Sequence, residues 1–171
     1  AGFYLAEAGF SVTSPQDPRA KVTFHLWEGS RAVVGRVRVE GAEATGFSDQ
    51  IWTRSGRPFR VGALEADAEG IVRRYENGGY PFCAVYPTLG TPDAAGRMDV
   101  SLRVEPGPFV RVGNLRVSGN RTTRTRVIGR LMGLKLGEGY DQRRVDRGRR
   151  VLLRSGLFYV VGEPTLGPQA P

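Results

Sequence analysis

Between Val34 and Glu40 the chain alternates, with Val34, Arg36, Arg38 and Glu40 on one parity and Gly35, Val37 and Val39 on the other. Val110-Arg111-Val112 and Leu115-Arg116-Val117 repeat that pattern, and a period of two with one wet face predicts a strand in each place. Gly41, and later Gly119-Asn120, end these strands, because glycine and asparagine accept the left-handed conformation of a turn. The apolar spacing then lengthens to helical steps: Phe47, Ile51 and Trp52 in the first case, Val127, Ile128, Leu131 and Met132 in the second, where Thr122 or Thr123 can cap the helix. Gly56-Arg57-Pro58 and Gly137-Glu138-Gly139 break these first helices. A longer amphipathic helix follows in both places, carried by Leu64, Ile71, Val72 and Tyr75, and by Val145, Leu152 and Leu153 with Asp141 as a natural N-cap. A second strand is predicted over 80–86 and 157–161, and a third over 98–104 and 21–27.

The parallel wording of these two accounts reflects a repeat. Gly29, Gly35 and Gly41 return 78 residues later as Gly107, Gly113 and Gly119, and Pro87-Thr88-Leu89-Gly90 returns 77 residues later as Pro164-Thr165-Leu166-Gly167. Two independent blocks at nearly one period define a β-α-α-β-β unit. Following the chain direction, the third strand fits in the middle of the sheet, parallel to the first and antiparallel to the second, which leaves the second on an edge. The fold class expected is therefore α+β: tandem repeats, each a three-stranded mixed sheet covered by two antiparallel helices. Residues 1–32 match only the end of a unit, a helix tail around Tyr4 and Leu5 and then two strands. Residues 33–107 form a complete unit, and residues 108–171 stop before a third strand. Either disordered residues are missing from the end of the last unit or a neighbouring chain completes its sheet.

Composition narrows the classes. At 171 residues and 40% apolar content the chain can bury modest cores, and no apolar run approaches the roughly 20 residues that cross a bilayer. No charged leader followed by an apolar stretch and a cleavage site is present, so a signal peptide of the full protein would have been removed. Cys83 and His25 are the only residues of their types, which excludes an intramolecular disulfide and a Cys/His metal site. Cys83 is expected on a half-buried strand and His25 facing solvent. Hydrolase, phosphate-loop and dinucleotide signatures are missing, so no enzyme and no cofactor is expected.

The repeat resembles the POTRA (polypeptide-transport-associated) domain of bacterial outer-membrane assembly proteins, the BamA/TamA-like surface-antigen family. Val112-Gly113-Asn114-Leu115-Arg116-Val117-Ser118-Gly119-Asn120, Gly139-Tyr140-Asp141 and Ser155-Gly156-Leu157-Phe158 carry the resemblance. The middle unit keeps Pro58-Phe59 and Tyr75 through Gly79-Tyr80, but has Arg60 where the family's helix cap is aspartate. The resemblance implies a periplasmic extension tethered to the outer membrane by a C-terminal β-barrel of the same protein. Its implied partners are unfolded outer-membrane protein precursors and accessory assembly subunits.

Binding is then the mechanism to expect. An edge strand accepts extended peptides by β-augmentation, and Phe82, Ala84 and Tyr86, between Pro81 and Pro87, are the candidates for it. The competing reading is that the two prolines merely protect the edge. Trp27 and Trp52 are expected in a core or between units, and Gly41, Gly119 and Asn120 in structural turns. The net charge of +8 is local: residues 116–154 hold twelve basic residues against Glu138, Asp141 and Asp146. Arg143, Arg144, Arg147, Arg150 and Arg154 recur at three- and four-residue steps, as a solvated helix face or as a contact for an acidic partner or anionic lipid. The alternative class is a basic, KH-like nucleic-acid module of β-α-α-β type. It lacks the Gly-x-x-Gly between helices that clamps phosphates, so no nucleic acid is expected.

Overall fold

A computed structural model describes residues 6–13, 20–29, 31–41 and 51–167. The chain divides into two compact units, Ala1–Glu69 with Val85–Val104, and Gly70–Ala84 with Glu105–Pro171. In the first unit β1 (Glu7–Thr13) and β2 (Lys21–Trp27) form an antiparallel pair, Glu7 opposite Trp27 and Thr13 opposite Lys21. Phe10 and Phe24 stand opposite each other and are both exposed. The helix tail expected at Tyr4 and Leu5 lies outside the described residues.

β3 (Val33–Gly41), β4 (Ala84–Leu89) and β5 (Arg97–Glu105) form a second sheet in the order β3-β5-β4. β5 is central and parallel to β3, as the direction of the chain requires. Its sequence alternates without a break: Met98, Val100, Leu102 and Val104 are buried, while Arg97, Asp99 and Arg103 face out. One face of the sheet is therefore dry and the other wet, the arrangement a two-layer α+β unit needs. α1 (Val61–Asn77) turns Leu64 and Ile71, two helical turns apart, into buried positions.

The strict alternation expected along β3 is broken at one point. Val34 is aligned with Met98 and is buried, yet the next aligned pair is Val37 with Val100. One extra residue sits in β3, a bulge at Gly35-Arg36 that moves Val37 and Val39 onto the same side as Val34. Asp99 causes it: its Oδ1 accepts the Arg36 N–H at 2.8 Å and would lie 2.3 Å from any Cβ at position 35. Only glycine leaves room for that carboxylate.

The first helix expected in the middle unit falls partly on 42–50, outside the described residues, and Ile51 and Trp52 are not helical. The Asp67 carboxylate of α1 accepts the N–H groups of Trp52 at 2.7 Å and Thr53 at 2.8 Å, holding them in a non-helical connection. Trp27 and Trp52 are not core residues: they are 60% and 79% exposed. Trp27 instead lies along the hairpin surface beside Gly9, with its ring stacked on solvent-facing His25.

In the second unit α2 (Thr125–Met132) and α3 (Gln142–Arg154) pack together, burying Ile128, Val145 and Leu152. Asp141 caps α3, its side chain accepting the Arg143 N–H at 2.9 Å. The threonines proposed for the α2 cap do not serve: the N-cap is Arg124, with no side-chain bond. Neither expected strand of the last repeat forms. Among the described residues, 110–118 contribute one bridge, Arg111 to Gly139, and 157–161 contribute none. The main-chain groups of Val110 and Val112 bond instead to Gly79, Tyr140, Glu138 and Gly137, and no strand follows Val161 among the described residues.

Candidate functional site

The outer edge of β4 is the candidate site, and its position follows from the turns at both ends. Pro81 occupies the second position of a turn closed by the Cys83 N–H to the Tyr80 carbonyl at 3.2 Å. The strand therefore starts at Ala84 rather than Tyr80, and Phe82 lies before it, 55% exposed. Cys83 is half-buried at the strand entrance, and burial followed by the nearby Glu76 charge pushes its thiol up. At the far end Asp93 organises the return to β5. Its Oδ1 accepts the N–H groups of Ala95 at 2.9 Å and Arg97 at 2.8 Å, and Oδ2 the Arg97 Nε at 3.0 Å. The backbone bond from Arg97, then its side chain, hold the Asp93 carboxyl below the usual carboxylate range.

The register of β4 decides which groups are available. The Gly90 N–H donates to the Asp99 carbonyl at 2.8 Å, and the Arg103 guanidinium lies 4.9 Å from the centre of the Tyr86 ring. Both contacts fit one antiparallel register, in which the main-chain groups of Ala84, Tyr86 and Thr88 bond to β5. Those of Val85, Pro87 and Leu89 then face outward. Ala84 and Tyr86, two of the residues expected from the sequence, thus offer side chains on the wet face of the sheet but no free main chain. Pro87 stands within the strand, not at its end, and removes one of three outward donors. Among the described residues no backbone group outside the sheet bonds to Ala84–Leu89. The other edge, β3, is covered at its start: Val34 donates to Arg57 at 2.8 Å, and Gly56 and Phe59 donate back to Val34 and Ala32.

Just before β4, the end of α1 is knitted into the second unit. The Val110 N–H donates to the Gly79 carbonyl and the Tyr140 N–H to the Val110 carbonyl, at 2.8 and 2.9 Å. Phe109 sits edge-on to Tyr80 with ring centres 5.5 Å apart, and a Cβ at Gly79 would lie 2.3 Å from it. Gly79 also has φ of 103°, so glycine is required there twice over. The Asn77 side-chain Oδ1 shares the Arg143 N–H with Asp141. A shallow cleft of about 540 Å³ opens here between Asn77, Phe109, Arg111, Leu136, Glu138 and Arg144. Its charges are mutually engaged: Arg144 bonds Glu138, and Arg111 Nη1 donates to the Gly137 carbonyl at 3.0 Å.

Beside that cleft, acidic groups crowd one another. Burial and then the like charge of Asp146 hold the Glu76 carboxyl above its usual value, against Arg73. Burial, then Glu76, Asp146 and Asp141, push the Tyr140 hydroxyl up as well. Tyr140 hydrogen-bonds Gln142, whose Nε2 donates to Asp146 at 2.8 Å. A carboxyl held above its unfolded-state value binds its proton more tightly in the folded chain, so its contribution to stability is lost as pH rises through the folded value. Glu76→Gln should therefore be more stable than the parent at neutral pH, with the gap closing as pH falls through the carboxylate range. Urea unfolding at a series of pH values checks this.

The arginines proposed as one stripe separate into two groups on α3. Arg143 pairs with Asp141 at 3.3 Å and Arg144 with Glu138. Arg147, Arg150 and Arg154 are exposed and have no ion pair among the described residues. Gly41 and Gly119 have φ of 117° and 80°, and the Asn120 side chain donates to the Thr123 carbonyl at 2.8 Å. Among the described residues no cluster of ligands could hold a metal ion, and no helix is long and apolar enough to cross a membrane.

Comparison with known proteins places this architecture. The family model POTRA, described as the surface antigen variable number repeat, matches residues 32–107 and 110–169. A protein of Neorickettsia risticii (strain Illinois) named outer membrane protein assembly factor BamA is 31% identical over 141 residues, which cover 80% of this chain. The chain spans only 19% of that relative's length. The crystal structure of Haemophilus influenzae BamA POTRA3-5 superposes with a TM-score of 0.76 at 21% identity, covering 98% of this chain and 70% of that one. BamA from Haemophilus ducreyi lacking POTRA domains 1-3 gives 0.65 at 19% identity, over 77% of this chain and 25% of that one. These likenesses establish the α+β fold and set aside the KH-like alternative. The chain belongs to the POTRA family of surface-antigen repeats, as a repeat region of BamA-like type.

Proposed function

We propose that this chain is part of the periplasmic region of an outer-membrane β-barrel assembly factor, and that it receives extended segments of barrel precursors along the outer edge of β4. The free main chain of Val85 and Leu89 on that edge carries the reading. Main-chain pairing is indifferent to client side chains, which suits a set of clients sharing only a β-strand conformation. Pro87 interrupts the row, so a client gains few bonds and leaves easily, as a hand-over step requires. The relative named outer membrane protein assembly factor BamA supports this setting, and the proposal includes a C-terminal barrel of the same protein and accessory assembly subunits as further partners.

The edge makes a directional prediction. Val85→Pro removes an outward donor while sparing the ladder to β5, because proline is tolerated on an edge where its nitrogen faces solvent. It should weaken binding of an extended barrel-strand peptide about tenfold, whereas Pro87→Val, which adds a donor, should tighten it about tenfold, the equivalent of one hydrogen bond in each case. Fluorescence anisotropy of the labelled peptide reads both. Equal affinity across parent and variants would place the peptide elsewhere.

A further inference from the structure

The outer face of α3 carries a second surface, independent of β4. The helix buries Val145, Gly148 and Leu152, and Arg147, Arg150 and Arg154 project on the opposite side at steps of three and four residues. From Arg147 to Arg154 the row is about 10 Å long at 1.5 Å per residue. The sole acidic residue of the helix, Asp146, is three residues from Arg143 and four from Arg150, and it is held by Gln142 rather than by either arginine. On α2, Arg126 and Arg130 are exposed on the side away from buried Ile128, and no carboxylate pairs with either among the described residues.

We propose that this row docks on the phosphates of an anionic phospholipid surface. No carboxylate pairs with Arg147, Arg150 or Arg154 among the described residues, so this row meets an anionic surface without first losing an ion pair. Its positive groups are all guanidiniums, which match phosphate oxygens in a planar, two-bond geometry that lysine cannot reproduce. Val151 and Leu153, 39% and 41% exposed, border the row on either side and place apolar surface where an interfacial helix meets the headgroup boundary. Charge complementarity together with the flanking apolar side chains favours an anionic lipid surface.

Co-sedimentation of the chain with phosphatidylcholine vesicles, with and without phosphatidylglycerol, tests the assignment. Binding is expected only with phosphatidylglycerol and should weaken with added salt. The Arg147→Gln/Arg150→Gln/Arg154→Gln variant should bind about a hundredfold more weakly. Arg38→Gln/Arg57→Gln/Arg60→Gln, which removes the same charge from exposed positions elsewhere, should stay within about threefold of the parent. Circular dichroism unchanged from the parent in both variants confirms that folding is not the cause. No binding to phosphatidylglycerol vesicles, salt-independent binding, or equal loss in the two variants overturns the proposal. So does capture of polyglutamate without capture of vesicles, which would assign the row to an acidic protein. Peptide binding at β4 is read by Val85→Pro, so failure of either proposal leaves the other intact.

Discussion

Gly148→Val will unfold the α2–α3 pair at temperatures where the parent remains folded. A Cβ at Gly148 would stand 2.6 Å from the Met132 carbonyl oxygen and 2.9 Å from the Met132 Cα, and both are backbone atoms that no rotamer change can move. The two helices must separate to admit any side chain. Overpacking of this kind costs about 1–3 kcal/mol where neighbouring side chains can yield, and a backbone clash puts valine at the upper end or beyond. The apolar core behind the crossing is small, with Ile128, Val145 and Leu152 its fully buried members, so a loss of about 3 kcal/mol takes a large part of what holds it. Gly70→Ala provides the contrast. That glycine lies in α1 with nothing within 4 Å of its Cβ position, and the exchange should stabilise by about 0.5–1 kcal/mol through helix propensity alone. Thermal unfolding ranks the variants, and amide exchange localises the loss in Gly148→Val to α2 and α3.

The second large effect comes from Asp67→Ala. This carboxylate is 4% exposed and binds two backbone N–H groups, at 2.7 and 2.8 Å, from the segment that delivers buried Ile51. Its removal leaves both donors without an acceptor in a place water reaches poorly. Hydrogen bonds to a charged group contribute about 1.5–3 kcal/mol each, so the alanine variant should lose about 3–5 kcal/mol. Asp67→Asn keeps one acceptor oxygen and should lose roughly half as much. Equilibrium unfolding in urea measures both, with the slope against denaturant unchanged if the effect lies in the folded state.

These two sites show why parts of the structure escape a reading of the sequence. The repeat, the central position of β5 and the Asp141 cap are legible because each depends on local pattern or on chain direction. Gly148 carries no local signal of its role, which depends on the Met132 backbone across from it. Asp67 likewise has no local signature, because the backbone it holds lies 15 residues back in sequence. The bulge at Gly35-Arg36 needs Asp99, 63 residues from Arg36, to be explained at all. At β4 the two prolines correctly mark an edge. Which main-chain groups that edge exposes is set by pairing with β5, so Val85 and Leu89 take the place of Phe82, Ala84 and Tyr86. The strands of the last repeat carry a strand pattern without forming strands, because alternation supplies a face to bury but not a partner to pair with.

The central claim is that extended client segments pair with the outer edge of β4. The most direct measurement is a titration of the isotopically labelled chain with an extended barrel-strand peptide, followed through amide chemical shifts and hydrogen exchange. The account predicts slowed exchange and shifted resonances at the Val85 and Leu89 amides, with the inward amides of Ala84, Tyr86 and Thr88 already protected before peptide is added. Peptide-induced changes that leave residues 84–89 unmoved would contradict it.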